Sequence, residues 1–286
     1  MITLLIATIA GVACCLCGAD VYRRYQMCGY RAKEMFSREC IRDSLVGIIL
    51  GVIGTVVCAV LSFVGLPNYG YAVFAGLSVI CLIVILLRKR TVSLRFTPRC
   101  IRLVLVVFAL DLIYCCTVLF LTNRSYFGYG ALCILHACQV PLTLFAGFIL
   151  GPIEGKIQIK YMKRAKTRLK EVAPFVIGVT GSFGKTTVKN MIATILSEKF
   201  SVCASPASYN PPMGLCRTIL EQLKTEDEIF VAEMGARYRG DIVSLCNFVE
   251  PDLAVITGIG NQHLSTFGSK ADLMNEKYEL VRHLRN

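Results

Sequence analysis

The chain has 286 residues, of which 55% are hydrophobic and 17% are charged, and its mean hydropathy is +0.60. These values exclude a single soluble core, because soluble domains carry about 25% charged residues. The formal net charge of +12 is compatible with nucleic-acid binding. However, no aromatic-basic RNA motif or recognition helix accompanies the charge. We therefore expect a membrane-embedded part and no nucleic-acid partner.

Long uncharged apolar runs fill the first part of the chain. Each is close to the roughly 20 residues that a helix needs to cross a bilayer. The runs are Ile2 to Gly18, Leu45 to Leu66, Gly70 to Leu87, Leu103 to Thr122 and Tyr129 to Gly151. The pattern predicts a multi-pass α-helical membrane region of about five helices in residues 1–171, and a second domain in residues 172–286.

Basic residues are concentrated in alternate loops of this region. Lys and Arg are frequent in residues 20–44, 88–102 and 156–170, whereas residues 67–69 have none and residues 123–127 have only Arg124. Because basic loops stay in the cytoplasm, we expect the N-terminus outside and the C-terminal domain in the cytoplasm. The first run lacks the basic start of a signal peptide, so we predict a retained helix of the cytoplasmic membrane.

Two polar features interrupt the apolar runs. Cys14 and Cys17 form a lone Cys-x-x-Cys with no second pair or histidine cluster nearby, which favours packing over metal binding. Asp111 lies in the middle of a predicted span, and His136 and Gln139 fall at a similar depth in an antiparallel neighbour. The expectation is a hydrogen-bonded pair of helices, and a lipid-ligand or proton site is the alternative.

After about Pro174, apolar and charged residues alternate as in a soluble domain. Strands are predicted at Phe175 to Thr180, Ser201 to Ala204, Ile229 to Met234 and Leu253 to Thr257. Helices are predicted at Lys185 to Phe200, Leu215 to Leu223, Gly240 to Phe248 and Lys270 to Leu284. In the first of these helices the apolar positions are 188, 191, 192, 195 and 196. This alternation predicts a partial α/β P-loop domain with a mostly parallel sheet.

A glycine-rich loop joins the first of these strands to the first helix. Its backbone N–H groups and the helix start suit phosphate, Lys185 suits the β and γ phosphates, and the Thr186 hydroxyl can reach Mg²⁺. The general P-loop pattern has a glycine five residues before Gly184, where this chain has Val179. The position between strand and helix still favours ATP binding over an ordinary loop. The predicted nucleotide-binding residues are Thr180, Gly181, Ser182, Phe183, Gly184, Lys185, Thr186 and Thr187.

Three further polar residues fall at the ends of other predicted strands: Asn210, Glu233 and His263. Ends of parallel strands point at one crevice, and a carboxylate and an imidazole both bind divalent metals. Taken singly, each signal is weak, because a loop histidine is usually solvated and Glu233 can equally cap the next helix. Lys277, on an amphipathic helix, would ordinarily be a solvated lysine.

In this order, these residues resemble the central ATPase domain of the Mur ligase family. The resemblance covers residues 173 to 284 and depends on four motifs. They are the Thr180 to Thr187 loop, the Asn210 segment, Glu-Met-Gly-Ala at 233 to 236, and His263 followed by Phe-Gly-Ser at 267 to 269. Within the family, the last two motifs favour the branch that adds D-alanyl-D-alanine.

The resemblance implies an ATP-dependent amide ligase of peptidoglycan precursor synthesis that uses ATP and Mg²⁺. It places Lys185 on the phosphates, Thr186 and Glu233 on one Mg²⁺ and His263 on a second. Lys277 falls where the family has a carbamylated lysine, so Lys185, Lys277 and His263 are the predicted catalytic residues. Asn210 is predicted to face the substrate. The implied partners are a cell-wall precursor, whose carboxylate is phosphorylated, and an amino acid or dipeptide amine donor.

The sequence departs from the family in three places. Gly258 stands where many relatives have asparagine, the membrane region replaces a UDP-sugar-binding domain, and the sequence stops at Asn286, before the expected C-terminal domain. We therefore expect an incomplete chain, or one paired with a second chain. Two alternatives stay open: a non-catalytic membrane-anchored nucleotide-binding or scaffold protein, and a ligase of the same superfamily with another substrate, such as a folylpolyglutamate or cyanophycin type.

Overall fold

The N-terminal part of the chain is helical. The computed structural model describes residues 2–35, 38–64, 69–87, 92–122, 126–206, 212–260 and 264–285. The helices are α1 (Ile2–Cys17), α2 (Ala19–Met27), α3 (Ala32–Met35), α4 (Arg38–Phe63), α5 (Gly70–Leu87), α6 (Pro98–Leu121), α7 (Tyr126–Ala137) and α8 (Gln139–Val172). The chain forms two compact units, Met1–Glu154 and Gly155–Asn286, and the boundary between them lies within α8. The predicted boundary between residues 171 and 172 stays a prediction.

The fifth apolar run, Tyr129 to Gly151, does not form one helix. It is divided at Cys138, between α7 and α8. Pro141 explains the break, because in a continuous helix its ring would clash with the carbonyl of Ala137 and it has no N–H to donate there. In the first turn of a new helix, the missing N–H is not needed.

Some of these helices are long and apolar enough to cross a membrane. Among the described residues, Pro98–Leu121 and Gln139–Val172 meet this criterion, and Leu5–Cys17 with Ala19–Met27 would make a third span bent by 42°. Within α4, α5 and α7, the apolar stretches whose side chains are described are Ile48–Leu61, Ala72–Leu87 and Gly128–Ala137. The described part of the chain therefore contains two or three candidate spans by length and composition.

The acid in the middle of α6 is paired with an amide of α8. The amide nitrogen of Gln139 donates to the two carboxylate oxygens of Asp111 at 3.2 and 3.4 Å, and the Tyr22 hydroxyl donates to the amide oxygen of Gln139. His136 instead lies 3.1 Å from the Ser78 hydroxyl. The expected hydrogen bond between helices is confirmed for Asp111 and Gln139. His136 instead contacts Ser78, which lies in α5.

The second unit contains a parallel four-stranded sheet. Its strands are β1 (Phe175–Thr180), β2 (Val202–Ala204), β3 (Ile229–Glu233) and β4 (Leu253–Ile256), in the order β2-β3-β1-β4. These strands pair in parallel, and an isolated antiparallel bridge joins Phe183 to Gly258 outside them. The helices after α8 are α9 (Lys185–Leu196), α10 (Met213–Glu221), α11 (Asp241–Val249), α12 (Leu264–Phe267) and α13 (Lys270–Arg282). The predicted strands and the predicted parallel sheet are confirmed.

Alternate strand residues form the two faces of the sheet. One face carries Ile177, Val179 and Val231, and it packs against α9 through Val188, Ile192 and Leu196. The other face carries Val176, Phe230 and Ala232, and it packs against apolar side chains of α10, α11 and α13. Period-two alternation of strand side chains explains this division. Met191 and Ile195, two of the five apolar positions that indicated this helix, are exposed.

The carboxylate of Asp252 completes the hydrogen bonding at the start of β1. It accepts from the buried backbone N–H of Val176 at 2.7 Å and lies 3.5 Å from the guanidinium of Arg285. Asp252→Ala should leave that N–H without an acceptor and destabilise the second unit by about 1–3 kcal/mol. The measurement is urea unfolding of the solubilised chain, followed by hydrogen exchange of the β1 peptide.

Asp252→Asn is the matched control, because it keeps an acceptor oxygen and removes only the ion pair with Arg285. It should therefore destabilise less than Asp252→Ala. Equal losses for the two variants would contradict this assignment and would attribute the effect to the ion pair.

Candidate active site

The glycine-rich loop lies between the end of β1 and the start of α9. Gly184 precedes α9 with φ of 75°, and Gly181 has φ of 148°, so both adopt backbone conformations that favour glycine. No side chain caps α9 at its N-terminus. The first turn of a helix leaves backbone N–H groups without helical acceptors, so they can bind an anion here.

The end of β4 holds the loop in place. The hydroxyl of Thr257 donates to the carbonyl of Phe183 at 2.5 Å, and the carbonyl of Gly258 accepts from the N–H groups of Ser182 and Phe183 at 2.9 and 3.2 Å. Gly258 thus acts through its backbone. A Cβ atom at this position would meet no atom within 4 Å, so packing does not require glycine there.

Lys185 is folded back over the loop. Its ammonium group donates to the carbonyls of Gly181 and Ser182 at 2.8 and 3.4 Å. These are hydrogen bonds to neutral acceptors, and phosphate oxygens would form stronger, charge-assisted bonds with the same group. The side chain is therefore positioned to exchange carbonyl oxygens for phosphate oxygens.

Thr186 and Glu233 meet at the carboxyl ends of β1 and β3. The Thr186 hydroxyl donates to Oε2 of Glu233 at 2.9 Å. Parallel pairing produces this meeting, because Val179 is aligned with Glu233 in the register of β1 and β3. The pair offers a hydroxyl and a carboxylate, which are the hard oxygen ligands that Mg²⁺ prefers.

A buried lysine that the sequence analysis did not select lies beside this pair. Nζ of Lys189 is 3.7 Å from Oε2 of Glu233 and donates to the carbonyl of Ser205. The sequence did contain a signal for it. Lys189 lies four residues after Lys185 and between Val188 and Ile192, so helical spacing places its charge on the buried side of α9.

Lys277, on α13, is 2% exposed. Burial, followed by repulsion from Lys185, lowers the pKa of its ammonium group to about 8, while Glu276 and Asp241 oppose the shift. The neighbouring Glu276 accepts hydrogen bonds from the N–H groups of Gly240 and Ile242, which ties α13 to the start of α11. Lys277 is therefore held inside the unit, within electrostatic reach of Lys185, and it is not the solvated lysine that helical amphipathicity alone suggests.

Two predicted site residues, Asn210 and His263, lie outside the described residues. Their assigned contacts with substrate and with a second metal therefore stay predictions. The structure brings Thr180 to Thr187 and Glu233 together at the carboxyl edge of the sheet, and it leaves the chemical roles of these residues as predictions too.

The described residues fit a magnesium nucleotide. Within them, no group of three or more His, Cys, Asp or Glu side chains could hold a metal by itself. Mg²⁺ rarely needs such a cage, since it commonly binds through one or two protein oxygens together with phosphates and water. The Thr186 and Glu233 oxygens, next to the N–H groups in the first turn of α9, supply that minimal set.

Comparison with known proteins finds relatives of the part of the chain that contains the glycine loop and Glu233. Residues 179–286 match the Mur ligase middle domain family. The chain is 40% identical over 121 residues to UDP-N-acetylmuramoyl-tripeptide--D-alanyl-D-alanine ligase of Bacillus subtilis (strain 168), covering 42% of this chain and 26% of that protein. The enzyme of the same name from Synechocystis sp. is 39% identical over 108 residues, covering 38% and 24%.

One similar solved structure is the MurF ligase from Thermotoga maritima in complex with ADP. The two chains are 39% identical in sequence, with a TM-score of 0.42. The similarity covers 44% of this chain and 29% of that structure's chain. This chain thus spans about a quarter of the length of the curated relatives that it matches. The sequence match includes most of the glycine-rich loop, Glu233 and Lys277. Residues 179–286 of this chain are therefore similar to the Mur ligase middle domain family.

Proposed function

We propose that this chain is a membrane-anchored, ATP-dependent amide ligase of the Mur type, and that the described residues form its nucleotide and metal site. The observation that carries the proposal is the contact between Thr186 and Glu233 at the start of α9, a helix with no side-chain cap at its N-terminus. This geometry suits phosphoryl transfer, which needs positioning and charge neutralisation rather than a nucleophilic side chain.

The substrate class follows from the relatives. Their names specify a UDP-N-acetylmuramoyl-tripeptide and D-alanyl-D-alanine. We propose a cell-wall precursor as the carboxylate substrate and an amino acid or dipeptide as the amine donor. The chain spans only about a quarter of the length of those relatives. We therefore assign to the described site residues only the ATP-dependent part of the reaction.

In the proposed reaction, the γ-phosphoryl group moves to the substrate carboxylate, and the amine then displaces phosphate from the acyl phosphate. Lys185 leaves the loop carbonyls to bind the β and γ phosphates, and the α9 N-terminus supplies further N–H donors. Thr186 and Glu233 would hold Mg²⁺, which neutralises phosphate charge when bound. His263 is proposed for a second metal ion and Asn210 for the substrate.

Lys277 is proposed as the carbamylated residue. Addition of CO₂ requires a neutral amine, and burial favours the neutral form of this side chain. The product is an anion, which neighbouring cationic charge from Lys185 or bound metal would stabilise. The environment of Lys277 thus suits both the reaction and its product.

We also propose that the first unit lies in the cytoplasmic membrane with five spans, the N-terminus outside and the second unit in the cytoplasm. The support is the distribution of Lys and Arg between alternate loops. Two or three candidate spans by length and composition lie within the residues that the structure describes. Tight pairing of Asp111 with Gln139 suits a helix bundle in lipid, where an unpaired acid is costly.

The nucleotide assignment depends on Lys185. Lys185→Ala should weaken binding of a fluorescent ATP analogue to the full chain at least about tenfold, because the loss of hydrogen bonds between a cation and phosphate costs about 1.5–3 kcal/mol. Lys199→Ala, at an exposed lysine beyond the end of α9, is the control and should bind normally. Unchanged affinity in Lys185→Ala would overturn the assignment of the loop.

The amine of Lys277 should become reactive at an unusually low pH. Its neutral fraction rises as pH increases through about 8, so labelling with an acylating reagent should reach half of its maximum near that pH. Mass spectrometry of the labelled peptides gives the midpoint, and the exposed Lys270 at the start of α13 is the internal reference. Identical midpoints for the two lysines would contradict the effect of burial.

The proposed orientation can be tested with fusions to the full chain. A green fluorescent protein fused after Asn286 should fluoresce, because it would fold in the cytoplasm. Alkaline phosphatase fused within residues 123–125 should be active, since this loop is proposed to lie outside. Active phosphatase fused to the basic segment 156–170 would contradict the orientation.

A further inference from the structure

Lys189 carries a positive charge in an otherwise apolar contact between α9 and the sheet. The residue is 1% exposed, and its helical neighbours Val188 and Ile192 pack against strand side chains. A buried ammonium group is costly unless opposite charge and hydrogen-bond acceptors surround it. Lys189 therefore needs a negatively charged partner and hydrogen-bond acceptors inside the unit.

Two strand ends supply them. The carbonyl of Ser205, directly after β2, accepts a hydrogen bond from Nζ of Lys189, and Oε2 of Glu233, at the end of β3, lies 3.7 Å from it. The Ser205 hydroxyl also accepts from the N–H of Glu233 at 3.0 Å. Lys189 is thus fixed against the same Glu233 oxygen that accepts from Thr186.

The two charges differ in their access to water. The side chain of Glu233 is 17% exposed, whereas that of Lys189 is 1% exposed. The carboxylate can therefore exchange partners, but the ammonium group cannot leave. With Lys189 beside it, Glu233 contributes no net negative charge, and Lys185, the residue before Thr186, adds positive charge.

We propose that Lys189 balances the charge of Glu233 and thereby makes divalent-metal binding at Thr186 and Glu233 depend on the phosphates of a bound nucleotide. This inference rests on the proposed function. Without nucleotide, a free divalent cation meets a carboxylate that is already neutralised, so it binds weakly. Bound phosphates supply the missing negative charge, so metal and nucleotide binding reinforce each other.

The test measures Mn²⁺, as a paramagnetic substitute for Mg²⁺, by electron paramagnetic resonance on the full chain with and without ADP. Lys189→Gln keeps a donor for Ser205 and removes the charge. It should bind Mn²⁺ without ADP about tenfold more tightly than the wild type, because a nearby like charge is lost. The enhancement of Mn²⁺ binding by ADP should shrink. Lys199→Gln is the matched control and should match the wild type in both measurements.

A purely structural lysine would give a different result. If Lys189→Gln binds Mn²⁺ without ADP equally or more weakly than the wild type, the proposal is overturned. The gain should also disappear in the double variant with Glu233→Gln, and a gain that persists there would place the metal elsewhere. Should Lys189→Gln fail to fold, Lys189→Met provides the same comparison with an uncharged side chain of similar length.

A failure of the proposed function can be distinguished from a failure of this inference. Absence of ADP binding by the wild type would overturn the nucleotide assignment, while the Mn²⁺ comparison without ADP would still decide the role of Lys189.

Discussion

Parallel pairing of β1 with β3 is the constraint on which the candidate site depends. The register that aligns Val179 with Glu233 brings the glycine loop and a carboxylate to the same edge of the sheet. A shift by one residue would turn Glu233 toward the opposite face, because strand side chains alternate. The contact between Glu233 and Thr186, the ion pair with Lys189 and the fit to a metal all follow from this alignment.

Much of the second unit could be predicted from sequence, because its strands are short apolar runs and its helices have clear amphipathic spacing. The strand β1 has the predicted bounds, and α9, α10, α11 and α13 begin within two residues of their predicted starts. Helix ends were less predictable: α9 ends at Leu196 rather than Phe200. Helical spacing also cannot show which apolar side chains meet the sheet, so the exposure of Met191 and Ile195 was not foreseen.

The glycine loop and Glu233 could be selected because motifs mark them. For Lys189, helical spacing indicates only a position on the buried side of α9. Its role comes from contacts with Ser205 and Glu233, which lie on other strands and far along the chain. The low pKa of Lys277 likewise depends on burial and on Lys185, so only the folded arrangement reveals it. In the first unit, apolar length predicted helices, but the break at Cys138 depended on a single proline.

We propose that the glycine loop, Thr186 and Glu233 form one magnesium nucleotide site. An experimentally determined structure of the full chain with ADP and Mg²⁺ tests this proposal most directly. We expect phosphate at the α9 N-terminus and Nζ of Lys185 moved from the loop carbonyls to a phosphate oxygen. We also expect a metal about 2.0–2.1 Å from oxygens of Thr186 and Glu233. Nucleotide bound elsewhere, with the contact between Thr186 and Glu233 unchanged, would contradict it.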